Sequence, residues 1–109
     1  MYSVSFMFEP LEYDEDFYQL DALIADVALS MGGFVGKETW HGEMGRVNSV
    51  YYWDTLDDLK AFASHPKHIE AKRQYSRWYK GFHIVIAEIV KSYGDGNFMH
   101  ITPNQRQAV

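Results

Sequence analysis

The sequence predicts an α+β fold whose elements follow the order β-α-β-β-α-β. Residues 2–8 and 82–93 have strand-like apolar patterns, whereas residues 17–31 repeat apolar side chains at three- and four-residue steps. Residues 34–41 and 46–53 are strand-like and flank the turn-forming letters GEMG, which predicts a hairpin. Together these features favour a four-stranded antiparallel sheet with helices on one face, the ferredoxin-like arrangement.

The first half of the chain is predicted to form a strand and then an amphipathic helix. Alternation gives the strand an apolar face: Val4, Phe6 and Phe8. Asp14 or Asp16 is suited to cap the helix, because a carboxylate accepts hydrogen bonds from free amides and favours the positive end of the helix dipole. The helix carries an apolar stripe: Phe17, Leu20, Ile24, Val27 and Met31. Gly32 and Gly33 are expected to end it.

The second half adds two helical segments and a last strand. Thr55, followed three residues later by Asp58, is typical of a capping box and begins a short helix. Pro66 suits a first helical position and Gly81 the residue after the last, which predicts one helix between them. Strand 82–93 closes the domain, placed at residues 1–96, and residues 97–109 form a tail with a loose ending.

Two strands of the predicted sheet are apolar on both faces. The last strand has Ile84 and Ile86 on one side and Val85, Ala87 and Ile89 on the other. Helices on one side of the sheet leave the second apolar face uncovered. We therefore predict a two-fold homodimer that packs sheet against sheet, the commonest form of assembly.

Composition excludes several classes of function. The chain has no cysteine, which excludes disulfides, thiolate catalysis and cysteine-based metal sites. Its net charge of −5 disfavours nucleic acid as a partner. No apolar run is long enough to span a membrane, and the N-terminus lacks the basic start of a signal peptide. These features predict a cytoplasmic protein.

The stretch HPKHIEAKRQYSRWYKG is the candidate site. Helical spacing places a polar-aromatic stripe on one side: His68, Ala71, Tyr75, Trp78 and Phe82. One interpretation is that this stripe is core and His68 an inward-facing histidine whose hydrogen bonds are satisfied. The other is that the helix stands off the sheet, so that His68 is the polar group of an aromatic pocket. His65 and His68 have no third ligand nearby, so no metal site is predicted.

The second half resembles the antibiotic biosynthesis monooxygenase (ABM) family, in its haem-degrading-monooxygenase-like branch. The resemblance lies in a spaced set of residues: Trp53, His65, Pro66, His68, Ala71, Trp78, Tyr79 and Tyr93. It implies a dimeric α/β barrel of two ferredoxin-like subunits, each with a pocket between sheet and helices. Family members include oxygenases that need neither metal nor flavin, haem degraders and proteins of unknown role.

The resemblance implies three alternative functions. The first is a cofactor-independent monooxygenase acting on a small aromatic molecule. His68 would be its base, and the pocket walls would come from substrate-binding residues: Trp53, Phe62, His65, Tyr75, Trp78 and Tyr79. The second is haem binding or degradation, although the haem degraders have their axial histidine where this chain has Lys72 and a pocket tryptophan where it has Phe62. The third is a non-enzymatic ligand-binding or stress-associated dimer.

Overall fold

The computed structural model describes residues 1–106. Its elements are, in chain order, β1 Tyr2–Pro10, α1 Glu15–Ser30, β2 Phe34–His41, β3 Val47–Trp53, α2 Leu56–Ala63, α3 Pro66–Arg73, α4 Tyr75–Trp78 and β4 Tyr79–Glu88. A single 3₁₀ turn, Glu43–Gly45, joins β2 to β3. The loose ending predicted for the tail falls partly on residues 107–109, which lie outside the described residues.

The four strands form one antiparallel sheet in the order β2-β3-β1-β4. The predicted α+β, ferredoxin-like fold class is therefore confirmed. Register separates two faces: Tyr51 and Trp53 of β3 point toward the helices, whereas Val50 and Tyr52 point to the opposite face, called here the open face.

Helix starts follow the capping chemistry expected from the sequence. The side chain of Asp14 accepts a hydrogen bond from the backbone N–H of Phe17 at 2.9 Å and caps α1. Thr55 accepts one from the N–H of Asp58 at 3.1 Å and caps α2. Pro66 occupies the first turn of α3, where its missing N–H costs no hydrogen bond.

The helix predicted from Pro66 to Gly81 is interrupted. Gln74 ends α3 with φ −102° and ψ 8°, a single turn follows, and β4 begins at Tyr79, so that Gly81 lies within a strand. Side-chain hydrogen bonds compensate for the break, because Gln74 donates to Glu70 and accepts from Arg77. The periodicity of the sequence did not predict this break, because Gln74 is a good helix former.

The core lies between the helices and the face of the sheet that the helices cover. Trp53 is fully buried among Ala28 of α1 and Leu59 and Phe62 of α2. The ring centroids of Trp53 and Phe62 lie 5.0 Å apart. The last residue of β3 therefore fixes how α1 and α2 sit on the sheet.

The tail covers part of the open face. Ile101 lies over Gly36 of β2, where an added Cβ would come within 2.9 Å of its side chain. Glu38 accepts a hydrogen bond from the Tyr52 hydroxyl at 2.6 Å and lies 2.8 Å from Nε2 of His100. Burial raises the pKa of Glu38, but the hydrogen bonds with Tyr52 and His100, the charge of His100 and a hydrogen bond from Trp40 together lower it overall.

We expect His100→Ala to loosen this tail. His100 also contacts Thr102, which in turn lies 2.6 Å from the Ser92 hydroxyl, so the imidazole links the sheet to the whole loop. A hydrogen bond to a charged group contributes about 1.5–3 kcal/mol, so exchange of the Gln105 amide should accelerate by roughly 10- to 100-fold. Hydrogen exchange by NMR measures this, with His83→Ala on β4 as the control. Unchanged exchange in His100→Ala would contradict it.

The rest of the open face is uncovered in this single chain. Val85 of β4 is 44% exposed, and Trp40 of β2 is 51% exposed. The homodimer stays a prediction, and light scattering at micromolar concentration tests it. Within residues 1–106, no helix has the length and apolar character needed to cross a membrane.

Candidate functional site

A cavity of about 220 Å³ lies between the helices and the inner face of the sheet. Of the seven residues predicted as a site, five line it: Trp53, Phe62, His68, Tyr75 and Tyr79. The wall is otherwise mainly apolar, with contributions from β1 and β4: Val4, Phe6, Phe82, Ile84 and Ile86. Such a cavity, aromatic with a few polar groups, is the usual form of a small-molecule site.

The cavity has a closed end and a mouth. Trp53, Leu59 and Phe62 are buried and form the closed end. Tyr75 and Phe82 are nearly half-exposed, and their rings meet edge to face with centroids 5.0 Å apart. A ligand would enter along the free edge of β4, past this aromatic pair.

His68 projects from α3 toward the closed end. Its ring packs edge-on against Phe62 at a centroid distance of 4.9 Å. Among residues 1–106, nothing hydrogen-bonds its Nδ1, although that atom is buried. Burial lowers the pKa of His68, and the positive charge of Lys72 lowers it further. The imidazole is therefore neutral at pH 7.

The unpaired Nδ1 defines what His68 can offer a ligand. The backbone of Ala63 acts against the lowering of the His68 pKa. A neutral imidazole carries one proton, on either Nδ1 or Nε2. With that proton on Nε2, Nδ1 holds a lone pair and His68 can act as a base.

Two charged side chains that were not predicted as site residues also line the cavity. Asp21 lies on α1 between Phe17 and Ile24, one helical turn from each. A carboxylate on an otherwise apolar helix face was the available signal. Lys72 lies one turn beyond His68 and lines the cavity although it is exposed.

Tyr79 contributes an uncharged hydroxyl group to the residues that line the cavity. Burial, and then the nearby Tyr13, raise its pKa well above the ordinary value for a phenol. Its ring packs edge-on against Phe6 at 5.3 Å. At any physiological pH its hydroxyl keeps its proton and can donate it in a hydrogen bond.

His65 and Trp78 lie elsewhere. His65 is the N-cap of α3, and its Nδ1 accepts a hydrogen bond from the N–H of Lys67 at 3.1 Å. Trp78 turns toward α1, where its Nε1 donates to Asp14 at 3.0 Å. The break at Gln74 causes this, because it takes Trp78 out of the helical phase that His68 sets.

Two wider clefts occupy the open face, with volumes of about 690 and 1040 Å³. The smaller lies over Met7, Trp40, Asn48 and His83, and the larger lies under the tail. Both belong to the surface that the predicted dimer would cover. Of these three cavities within residues 1–106, the one beside His68 combines a partly buried imidazole with an aromatic wall.

Comparison with protein families gives one match over most of the fold. The model of the family described as Monooxygenase af470-like matches residues 17–87, a span that begins in the first turn of α1 and ends one residue before the end of β4. The chain belongs to this family. YqjZ, an uncharacterised protein of Bacillus subtilis (strain 168), is 28% identical over 89 residues, which are 81% of this chain and 78% of that protein.

Solved structures with the same fold include several monooxygenases. SnoaB, a cofactor-independent oxygenase from Streptomyces nogalater, superimposes with a TM-score of 0.68 and 11% identity over 84% of this chain and 94% of its own. A candidate antibiotic biosynthesis monooxygenase from Nitrosomonas europaea superimposes with a TM-score of 0.64 and 14% identity, over 84% of this chain and 100% of that protein. The ABM family predicted from the sequence is confirmed. The haem-degrading branch within it stays a prediction.

Haem does not fit the cavity of this Monooxygenase af470-like chain. Pockets for drug-sized ligands span about 300–1,000 Å³, and haem is a ligand of at least that size class. The cavity beside His68 measures about 220 Å³. In the part of the chain that the structure describes, no group of three or more His, Asp or Glu side chains could hold a metal ion.

Proposed function

We propose that this chain is a cofactor-independent monooxygenase that oxidises a small phenol or enol, with His68 as the base. The observation that supports this most is the buried Nδ1 of His68, which has no partner within residues 1–106 and belongs to an aromatic-walled cavity. Buried polar atoms are nearly always hydrogen-bonded, so an unpaired ring nitrogen here favours a ligand that forms a hydrogen bond with it, and a substrate hydroxyl that donates to Nδ1 would do so.

The cavity volume supports a compact substrate. An apolar cavity of about 150 Å³ holds benzene, and drug-sized ligands need about 300 Å³ or more. At about 220 Å³, the His68 cavity has room for one substituted ring or a compact pair of rings.

The proposed reaction needs no external reductant. Nδ1 of His68 takes the hydroxyl proton, and the resulting phenolate gives one electron to O₂. The phenoxyl radical and superoxide combine, so that a C–O bond forms at the para carbon. The peroxide anion takes the proton back from His68, and the resulting hydroperoxide loses water as its O–O bond breaks and the para C–H proton leaves. A phenol and O₂ thus give a para-quinone and water, and all four electrons come from the substrate.

Groups around the cavity favour the anion that this step creates. Lys72 is among the residues that line the cavity, and its positive charge, which acts on His68, also attracts a phenolate bound beside that histidine. Tyr79 keeps its proton, because burial raises its pKa, and can donate a hydrogen bond to the same oxygen. The apolar wall excludes water, which strengthens both interactions.

The family and the fold support oxygen chemistry in general terms. The chain belongs to a family described as monooxygenases, and SnoaB, which shares the fold, is described as a cofactor-independent oxygenase. The test is a panel of one- and two-ring phenols, with oxygen uptake measured by electrode and products by mass spectrometry under ¹⁸O₂. We expect one ¹⁸O atom in the product. Tight binding with no oxygen uptake from any phenol would favour the non-enzymatic alternative.

We expect Lys72→Met to shift the acid side of the pH–rate profile to higher pH. The base works only when neutral, so activity falls as pH drops through the pKa of His68. Lys72 lowers that pKa, and its removal must therefore raise it. kcat/KM measured against pH checks this, with Lys67→Met on the same helix as the control. A profile that moves equally in both variants would contradict a local effect of Lys72.

A further inference from the structure

A carboxylate interrupts the core-facing stripe of α1. Asp21 follows Phe17 by one turn and precedes the buried Ala28 by two, so the three side chains share one side of the helix. Asp21 and Ile24, its neighbour one turn on, both line the His68 cavity. Apolar side chains are the rule on such a stripe. A charged residue that breaks this local pattern is typical of a functional site.

No contact within residues 1–106 explains the carboxylate of Asp21. Acidic residues at the start of α1 are paired, because Asp14 and Asp16 both bind Arg77. In the same part of the chain, the carboxylate of Asp21 makes neither an ion pair nor a hydrogen bond. Lys72 lines the same cavity but is not ion-paired with it. The carboxylate therefore remains available to a ligand.

A ligand in the cavity can reach this carboxylate. Asp21 is an exposed residue that also belongs to the cavity wall. Its negative charge acts on the sheet side of α1: after burial, it is the next cause that raises the pKa of Tyr13. Burial, two neighbouring tyrosines and then Asp21 raise the pKa of Tyr79, which is itself a wall residue. A ligand between α1 and the sheet thus meets the carboxylate without displacing a protein contact.

The two charged wall residues act on different sides of the cavity. Burial, followed by the charge of Lys72, lowers the pKa of His68 on α3. Asp21 acts instead on Tyr79 at the start of β4. The wall therefore has a basic side at α3 and an acidic side at α1. An ionised carboxylate only accepts hydrogen bonds, so its complement in a ligand is an O–H or N–H donor.

We propose that Asp21 accepts a hydrogen bond from a second polar group of the substrate, a hydroxyl or a protonated amine, while the phenolic hydroxyl lies at His68. This deepens the proposed function and rests on its site. The second group belongs on a side chain meta to the phenolic hydroxyl. A para group would block the carbon at which the proposed oxidation occurs, and an ortho group would lie beside His68. Asp21 is thus a specificity-determining residue.

The test compares two phenols of similar size under nitrogen, so that no turnover occurs. 3-Hydroxybenzyl alcohol carries the second donor, and 3-ethylphenol has a methyl group in its place. Their phenolic acidities are nearly equal, because a saturated carbon separates the altered group from the ring. Calorimetry with the wild-type chain should give the alcohol about tenfold tighter binding, the effect of a hydrogen bond to a charged group that water also reaches.

Two leucine variants on one helix show whether Asp21 causes this preference. Asp21→Leu removes the acceptor and adds apolar surface, so it should bind 3-ethylphenol more tightly than the alcohol. Asp26→Leu removes an exposed carboxylate of α1 that lies outside the cavity, and it should keep the wild-type preference. An alcohol preference that survives in Asp21→Leu overturns the proposal. So does a wild-type chain that binds the alcohol no more tightly than 3-ethylphenol.

A third ligand distinguishes a hydroxyl from an amine as the second group. 3-Hydroxybenzylamine is cationic at pH 7, and Asp21→Asn removes the negative charge while keeping an acceptor oxygen. Binding of the amine more tightly than the alcohol, lost in Asp21→Asn, identifies an amine. Tighter binding of the alcohol identifies a hydroxyl. Both results support the proposal, whereas two ligands that bind no better than 3-ethylphenol overturn it.

A spectroscopic readout covers the case in which Asp21→Leu does not fold. The ¹³C signal of the Asp21 carboxylate is identified in the wild-type chain by its disappearance in Asp21→Asn, an exchange between polar side chains of similar size. It should move when 3-hydroxybenzyl alcohol binds and much less when 3-ethylphenol binds. Equal movement with both ligands, or none, overturns the proposal.

The two proposals fail in different ways. Alcohol preference lost in Asp21→Leu, with no oxygen uptake from any phenol, supports this inference and removes the oxygenase. Oxygen uptake from 3-ethylphenol, with no preference for a second donor in wild-type binding, removes this inference and supports the oxygenase.

Discussion

Replacing His68 with alanine is expected to lower kcat/KM for oxygen uptake by about 10²- to 10⁴-fold, the usual contribution of a general base. The reason is that Nδ1 of His68 is the unpaired base of the cavity within the described chain. Substrate affinity should fall much less, because the aromatic wall remains. Oxygen-electrode kinetics and calorimetry under nitrogen measure the two quantities separately.

The same HPKH motif offers a matched control. His65→Ala removes an imidazole three residues away that caps α3 and does not line the cavity. It should cost about 0.5–2 kcal/mol of stability, as loss of an N-cap does, and leave kcat/KM near wild type. If His68→Ala turned over as fast as His65→Ala, the histidine would have no part in the reaction.

The fold was predictable because local rules agree with one another along most of the chain. Alternation identified β1 and the β2–β3 hairpin, and the caps at Asp14 and Thr55 identified two helix starts. The break at Gln74 was not predictable in this way. It depends on Trp78 and Arg77 reaching the start of α1, more than sixty residues earlier in the chain.

The candidate site was likewise predictable from local spacing but not from contacts between distant parts of the chain. Helical spacing correctly related His68 to Tyr75, since both line the cavity. It placed Trp78 beside them only by continuing one helix through Gln74. Asp21 was not predicted as a site residue, because its position on α1 becomes informative only once α1 and α3 are known to line the same cavity.

Hydrogen-bond satisfaction could not be read from the sequence at all. The indoles of Trp53 and Trp78 are both buried. The N–H of Trp78 bonds to Asp14, whereas that of Trp53 has no partner within residues 1–106. The difference depends on what each nitrogen meets across the fold.

Replacing Trp78 with alanine should therefore destabilise the fold and leave the chemistry intact. Trp78 is 2% exposed, and its ring packs edge-on against Phe17 at 5.4 Å. The guanidinium of Arg77 lies 4.9 Å from its ring centroid. We expect a loss of about 3–5 kcal/mol in the free energy of unfolding, as for other large aromatics removed from a core. Urea unfolding followed by circular dichroism measures it.

Trp78→Phe isolates the hydrogen bond to Asp14. The N–H of Phe17, with help from Trp78 and Arg77, lowers the pKa of Asp14 and keeps the α1 cap charged. Losing the indole N–H should cost about 1 kcal/mol, because Asp14 is partly exposed and water can replace the donor. In an Asp14→Ala background the same change should cost almost nothing, since the partner is already absent. If Trp78→Phe instead weakened binding of phenols tenfold while the fold stayed intact, Trp78 would belong to the site, and its placement at the α1 cap would not describe its role.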